Sequence, residues 1–443
     1  MFDIYQDLHT ESEHASEQIL LSTKRLCGIV SACATPCCLT DYNPEQIHLS
    51  LTLDPSEMVV SWVTYRELEN PMVSYWILTG DPTGNMTIHT SPAAVSTYTV
   101  GGWEGVIYNC TLQHLEPGTV YRYRIDAVSE GPYYVEEKEY HFTSAINPSE
   151  APLQSRSLQN NSVPFIPGET AGVVAFFGDV ATTSNSYQNA ESMYRLAQNK
   201  SVQLVVQGGD LSYADSDQSE WDQFMRMNER YSSVIPVMTA AGNHENYYLF
   251  SAYNHRYFMP NHQSGSESQQ YYSFNYEKIH FVCWSFEEFK GVDLRPNGKQ
   301  RKWLENDLAQ ANLERDVRPW IVLYGHRPFY CSSNSHDCET VAEGLRELLE
   351  NLINEYHIDV VLQAHKHNYE RLVLQYFHDS NCTNERSELI LCTILRKLNR
   401  TTRTHKRQCI MSLELVVVIK TPILTQTNHH GARTVKQNMD PYF

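Results

Sequence analysis

The stretch LVVQGGDLSY, residues 204–213, decides the fold of this 443-residue chain. It starts as an apolar run that predicts a buried strand, and it ends in two glycines, a carboxylate and a phenol. A second apolar run at 173–177 ends in the same way, at Gly178 and Asp179. Open α/β sheets bind ligands at the carboxyl ends of their strands. We therefore expect these polar groups to meet in one crevice.

Three further apolar runs, at 236–241, 320–324 and 360–363, also end in polar side chains. His365 and His367 alternate at the end of the last run, so both imidazoles can face the same side. Two carboxylates, a phenol, an amide and three imidazoles suit a pair of hard to borderline metal ions. The candidate metal ligands are Asp179, Asp210, Tyr213, Asn243, His326, His365 and His367.

The spacing of these groups favours one site over unrelated turns. Asp210 follows Asp179 by 31 residues and precedes Asn243 by 33, the size of a βαβ unit. A glycine before each group permits a tight turn. Tyr213 would distinguish between metal ions. A phenol has a pKa near 10, so only a strong Lewis acid such as trivalent iron would bind it as the phenolate. The alternative is that Tyr213 only packs.

The chain divides into segments of different character. Residues 43–145 carry short aromatic and β-branched runs between turns, which indicates an all-β sandwich. Residues 171–377 alternate strands with amphipathic helices, predicted at 187–199, 300–312 and 341–356, plus a strand pair within 271–286. The remaining segments are an N-terminal extension (1–42), a polar linker (146–170) and a basic tail (378–443) of unusual composition.

Composition excludes several classes of protein. A net charge of −18 argues against a nucleic-acid binder. No apolar stretch approaches the roughly 18 residues of a membrane-spanning helix. The sequence contains no CxxC…CxxC pair, so a zinc ribbon is not expected. Cys331 and Cys338 bracket a short polar loop, in which a disulfide and two free thiols are equally expected. The acidic, polar N-terminus lacks the pattern of a signal peptide.

Five motifs in order resemble the metal-binding motifs of purple acid phosphatases: GDV at 178–180, GDLSY at 209–213, GNHE at 242–245, YGHRP at 324–328 and AHKHNYER at 364–371. The resemblance covers roughly 43–375. It implies a fibronectin type III-like β-sandwich followed by an α/β metallophosphatase domain, a four-layer α/β/β/α sandwich. Ala181 stands where other metallophosphoesterases carry the His of Asp-x-His, which with Tyr213 points to the purple subgroup.

The resemblance also implies roles for the candidate residues. Asp179, Tyr213 and His367 would hold Fe(III), and Asn243, His326 and His365 would hold a divalent ion (Zn, Fe or Mn), with Asp210 bridging the two. A hydroxide held by the metals would attack the phosphorus of a phosphate monoester. His244 would contact phosphate or protonate the leaving group, and His336 would be a second outer-sphere donor.

The resemblance leaves some alternatives open. The substrate would be a small phosphate ester, and a homodimer is compatible with the sequence. Family members are secreted or lysosomal, although no signal peptide is recognisable here. The unusual ends also fit a non-catalytic iron-binding protein or a truncated inactive isoform. A related metallophosphodiesterase is the third hypothesis.

Overall fold

The computed structural model describes residues 40–78, 86–128, 138–146 and 173–367, together with the backbone of two strands at 372–375 and 388–391. The first 39 residues, nearly all of the predicted linker and most of the predicted tail lie outside the described residues.

In the N-terminal part, the described residues form a β-sandwich of two four-stranded antiparallel sheets. One has the strand order β1-β2-β6-β5 and the other β4-β3-β7-β8. The strands are β1 (Glu45–Ser50), β2 (Met58–Thr64), β3 (Glu69–Ile77), β4 (His89–Pro92), β5 (Ala94–Ser96), β6 (Val106–Leu112), β7 (Val120–Val128) and β8 (Glu139–Thr143).

The larger part begins at β9 (Val174–Phe177), and its described residues form two sheets and five α-helices. Its elements continue with α1 (Ser184–Gln198), β10 (Leu204–Gln207), α2 (Gln218–Ser232), β11 (Val237–Thr239), α3 (Ser251–Arg256), β12 (Tyr272–Tyr276), β13 (Ile279–Cys283), α4 (Lys299–Leu313), β14 (Trp320–Tyr324), α5 (Ala342–Glu355), β15 (Val360–Leu362), β16 (Leu372–Gln375) and β17 (Glu388–Leu391).

The two sheets of this part pack face to face. The parallel sheet β11-β10-β9 and the mixed sheet β12-β13-β14-β15-β17-β16 share a core. Alternation along β14 explains the layering: Val322 joins this shared core, whereas Ile321 and Leu323 join a second core with α4 and α5. Leu308 and Leu349 lie in that second core. The result is the expected α/β/β/α sandwich.

Most predicted elements of the larger part are present with small shifts. The helices expected at 187–199, 300–312 and 341–356 are α1, α4 and α5, and the strand pair within 271–286 is β12 and β13. Helices α2 and α3 were not predicted. The segment that the sequence set apart as an unusual tail supplies β17, which pairs in parallel with β15 and antiparallel with β16.

A buried cation joins the β-sandwich to the larger part. Arg256, at the end of α3, is 1% exposed and donates to Asp222 at 2.8 Å and to the Gln46 side chain at 2.8 Å. Its guanidinium lies 4.5 Å from the ring centroid of Trp103, whose indole N–H also donates to Asp222. Gln46 and Trp103 belong to the sandwich and Asp222 to α2, so Arg256 has its full set of partners only when both parts are assembled.

Candidate metal centre

The predicted ligands lie where the sheets end, as parallel strands require. Asp179 follows β9, Asp210 follows β10 and Asn243 follows β11, while His326 and His365 follow β14 and β15. Four of the candidates adopt left-handed backbone conformations that side chains rarely tolerate: Asp179 (φ 56°), Asp210 (φ 49°), Tyr213 (φ 54°) and His365 (φ 69°). Such strain persists where the surrounding structure fixes it, and it clusters at functional sites.

Close approach of the loops requires two of the glycines. A Cβ on Gly242 would lie 2.3 Å from Asp210 Oδ1. A Cβ on Gly209, which has a φ of 91°, would lie 2.9 Å from His326 Nδ1. These glycines therefore allow the loop after β11 and the imidazole after β14 to approach the carboxylate of Asp210.

Three of the candidates form one side of the cluster. Tyr213 Oη lies 3.2 Å from Asp179 Oδ1 and 2.7 Å from His367 Nε2. His367 Nε2 is 3.4 Å from the same carboxylate oxygen. The second oxygen of Asp179 accepts the backbone N–H of His365 at 3.0 Å, which links the first loop to the last.

The other four candidates form the adjoining side. His326 Nε2 lies 3.1 Å from Asp210 Oδ2, 3.3 Å from Asn243 Oδ1 and 3.1 Å from His365 Nδ1. One ligand atom from each of Asp210, His326 and His365 lies within 4.8 Å of the others. The structure thus brings together all seven predicted ligands, in two adjacent groups.

These groups fit metal ions by chemistry and by spacing. Ligand atoms about 2.0–2.2 Å from a shared ion are roughly 3 Å from one another, as the atoms here are. His326 Nδ1 lies 2.9 Å from the carbonyl oxygen of Gly208, which can only accept. The proton of the neutral ring is therefore on Nδ1, and the lone pair of Nε2 faces Asp210.

Burial and the two carboxylates dominate the electrostatics of the cluster. Burial and the carboxylates of Asp179 and Asp210 raise the pKa of the Tyr213 phenol well above its usual range. Burial disfavours protonation of His326, but the Asp210 carboxylate outweighs it and raises the His326 pKa to about 10. The Asp210 carboxylate thus favours a second proton on the His326 ring. A bound cation would displace this proton and stabilise the phenolate.

Glu245 supports the site, although the sequence did not single it out. Its carboxylate is fully buried and accepts three backbone N–H groups, from Asp210 and Gly242 at 2.8 Å and from Leu211 at 2.9 Å. It therefore ties the loop after β10 to the loop after β11. Burial and the nearby Asp210 raise the Glu245 pKa to about 8. Only its place in GNHE could have drawn attention to it.

The two histidines predicted to act on the substrate lie in different surroundings. The half-buried His244 has its Nδ1 2.6 Å from Asp215 Oδ1 and its Nε2 4.0 Å from Asp210 Oδ2, so the ring lies at the edge of the cluster. Its backbone N–H donates to Asp210 Oδ1 at 2.9 Å. His336 is exposed at the start of the π-helical turn Asp337–Val341, which runs directly into α5.

The loop that carries His336 is closed by a disulfide. Cys331 and Cys338 are bonded, with their Cα atoms 5.5 Å apart, which settles the pairing that the sequence left open. Asp337 within this loop lies 3.1 Å from His365 Nε2. The loop therefore contacts the cluster through Asp337, a residue that the sequence did not indicate. Among the residues that the structure describes, no helix is long and apolar enough to cross a membrane.

Comparison with known proteins agrees with this architecture. Residues 172–369 match the family model of the calcineurin-like phosphoesterases, and residues 44–144 match that of the purple acid phosphatase N-terminal domain. Acid phosphatase type 7 of Mus musculus is 33% identical over 347 residues, which cover 74% of this chain and 70% of the mouse protein. Probable purple acid phosphatase 20 of Arabidopsis thaliana is 30% identical over 340 residues, covering 75% of this chain and 70% of the plant protein.

A solved structure agrees at the level of the fold. The purple acid phosphatase from yellow lupin (Lupinus luteus) seeds superposes with a TM-score of 0.59 at 24% identity. The alignment covers 77% of this chain and 61% of the lupin chain.

Fold and sequence matches together define a phosphatase enzyme of the metallophosphoesterase class. Within that class, the chain belongs to the purple acid phosphatase family.

Proposed function

We propose that this protein is an acid phosphatase that hydrolyses small phosphate monoesters at a centre of one ferric and one divalent ion. The observation that supports the proposal is the convergence of the seven candidate ligand side chains from five strand ends, in two adjacent groups. Six of the seven belong to the loops that follow the strands of two packed sheets, and the seventh, Tyr213, lies three residues beyond Asp210.

Each group suits a different ion. Asp179, Tyr213 and His367 would hold Fe(III), because a phenolate ligand favours a strong Lewis acid. Asn243, His326 and His365 would hold Zn, Fe or Mn in the divalent state. Asp210 would bridge the two ions. Its Oδ2 lies 3.1 Å from His326 Nε2, and its Oδ1 accepts the backbone N–H of His244.

When bound, the two ions would clamp the phosphate and lower the pKa of a coordinated water. The protein's own groups would supply proton transfer. Asp215 accepts the Nδ1 proton of His244 and so turns Nε2 toward the cluster, 4.0 Å from Asp210 Oδ2. From there His244 would contact the phosphate and give a proton to the departing alcohol. His336 would be the second donor, from the exposed loop.

Two features support a particular setting for the enzyme. A net charge of −18 disfavours nucleic-acid substrates, so a small phosphate ester is the proposed substrate class. The disulfide between Cys331 and Cys338 persists in oxidising compartments. We therefore propose a secreted or lysosomal location.

The test combines metal analysis with turnover. Purified full-length protein is expected to contain two metal ions per chain, to absorb visible light by tyrosinate-to-iron charge transfer and to hydrolyse an aryl phosphate at acidic pH. Asp210→Asn removes the proposed bridging carboxylate and should lose both metal and turnover. Two ions without turnover would support the non-catalytic alternative, and faster cleavage of a diester than of a monoester would support a phosphodiesterase.

A further inference from the structure

The orientation of His365 depends on which ring nitrogen carries its proton. A neutral imidazole coordinates a metal through one nitrogen only when the other carries hydrogen. His365 presents Nδ1 to the cluster, 3.1 Å from His326 Nε2. Its Nε2 must therefore be the protonated nitrogen if His365 is to be a ligand. For His326 the carbonyl of Gly208 fixes this choice.

Two groups compete for Nε2 of His365. Asp337 Oδ2 lies 3.1 Å away and can only accept when ionised, whereas Arg327 Nη1 lies 2.7 Å away and can only donate. If Nε2 donates to Asp337, the lone pair of Nδ1 faces the cluster. If Nε2 accepts from Arg327, the proton moves to Nδ1 and closes the coordination position. The balance between a carboxylate and a guanidinium therefore decides whether His365 can bind metal.

Several contacts hold Asp337 in place. It adjoins Cys338, which is bonded to Cys331 seven residues earlier. Its carboxylate accepts from Lys366 Nζ at 2.7 Å and lies 3.4 Å from Arg327 Nη1. Its side chain is 28% exposed, so the position depends on these contacts and on the closed loop more than on burial.

We propose that Asp337, presented by the disulfide-closed loop 331–338, is a positioning residue that sets the tautomer of His365 and so completes the divalent metal site. The inference rests on the proposed metal centre and assigns to the disulfide a part in metal binding. Reduction of the disulfide frees the loop, weakens the contact of Asp337 with His365, and leaves Arg327 as the partner of Nε2.

The test measures the two metals separately. Iron-loaded protein is titrated with Zn²⁺, and bound zinc and visible absorbance are recorded. Partners of this kind typically contribute about 10–100-fold to metal affinity. Asp337→Ala should therefore weaken zinc binding by about 10–100-fold while the visible absorbance persists. Asp337→Asn retains an acceptor oxygen and should show a smaller loss. Glu339→Gln, an exposed carboxylate on the same turn, is the charge-matched control and should bind zinc as the wild type does.

A second arm tests the disulfide. On its own, the Cys331→Ser/Cys338→Ser substitution should weaken zinc binding. Combined with Asp337→Ala, it should cause little further loss, because both changes remove the same contact. Circular dichroism monitors folding. Wild-type zinc affinity in folded Asp337→Ala would overturn the inference, as would fully additive losses in the combined variant. A wild-type chain that binds neither ion would instead reject the metal centre itself, and the inference with it.

Discussion

The hydroxyl of Tyr213 lies 2.7 Å from Nε2 of His367, although the two residues are 154 positions apart in the chain. The same hydroxyl is 3.2 Å from Asp179 Oδ1. Burial and the two nearby carboxylates disfavour the phenolate, so only a cation bound at this point would stabilise it. The relationship makes Tyr213 a reporter for the proposed ferric position.

Tyr213→Phe should abolish visible absorbance. Phenylalanine keeps the ring but cannot ligate, so charge transfer from tyrosinate disappears. Loss of a direct ligand should cost at least the roughly 10-fold in metal affinity that outer-shell partners supply. Absorption spectra and iron content of wild type and variant provide the measurement. Tyr187→Phe, on the exposed face of α1, is the matched control. An unchanged visible spectrum in Tyr213→Phe would contradict the assignment.

His244→Ala should lower kcat by about 10²-fold or more with both metals retained, because general acid catalysis typically contributes about 10²–10⁴-fold. Metal retention is expected because the bond from this residue to Asp210 comes from the backbone N–H, which alanine keeps. Steady-state kinetics on an aryl phosphate, with metal analysis of the same samples, measures both.

His336→Ala serves as the comparison for His244. The exposed side chain of His336 should contribute less, and we expect a loss of kcat below about 10-fold. A larger loss for His336→Ala than for His244→Ala would reverse the proposed roles of the two histidines.

Gly242→Ala should impair the metal centre by a steric route. The added methyl group would lie 2.3 Å from Asp210 Oδ1, so either the loop or the proposed bridging carboxylate must move. We expect metal content to fall and kcat to fall with it. Gly344→Ala in α5 is the control, since a Cβ there meets nothing within 4 Å. That substitution should stabilise the protein by about 1 kcal/mol through helix propensity. Wild-type metal content in Gly242→Ala would show that the loops do not need this close approach.

His48 makes stability depend on pH. Burial lowers its pKa from 6.5 to about 4 in the folded protein. Between these values the unfolded chain binds the proton and the folded chain does not, so the free energy of unfolding should fall as pH drops from 6.5 to 4. The shift corresponds to about 3 kcal/mol at the acid end. His48→Asn, which can still donate to the Gln46 carbonyl, should lose less stability over this interval.

Urea denaturation at pH 7, 5 and 4 measures the effect of His48. His262→Asn, at a solvent-exposed histidine, is the control and should follow the wild type. Parallel pH profiles for wild type and His48→Asn would show that this ring does not limit acid stability.

The sequence predicted the seven candidate ligands because each stands beside the end of an apolar run, and parallel strands end at one edge. Glu245 and Asp337 could not be predicted as parts of the site from the sequence. Their significance comes from groups far away in the chain: the amides of Asp210 and Leu211 for Glu245, and the imidazole of His365 for Asp337. A carboxylate in GNHE or in a polar loop has no local pattern that indicates such partners.

Secondary structure was missed where its partners were distant. Helix α2 packs on β1 of the sandwich, where the Ser232 hydroxyl donates to the carbonyl of Ile47. The helix also contributes polar side chains, such as Asp222 and Gln218, to the buried junction. Its buried face therefore mixes the apolar Trp221, Phe224 and Tyr231 with polar side chains. Strand β17 has its partners β15 and β16 in the structure, but it is only four residues long and belongs to a tail whose overall composition is basic.

The guanidinium of Arg256 sets a limit on how this polypeptide can be divided. Separating the sandwich from the metal-bearing half would remove the contacts of Arg256 with Trp103 and Gln46 and expose the former junction to water. The ion pair itself would stay together, because Arg256 and Asp222 both belong to the metal-bearing half. We therefore expect the metal-bearing half alone to be less stable than the same half joined to the sandwich.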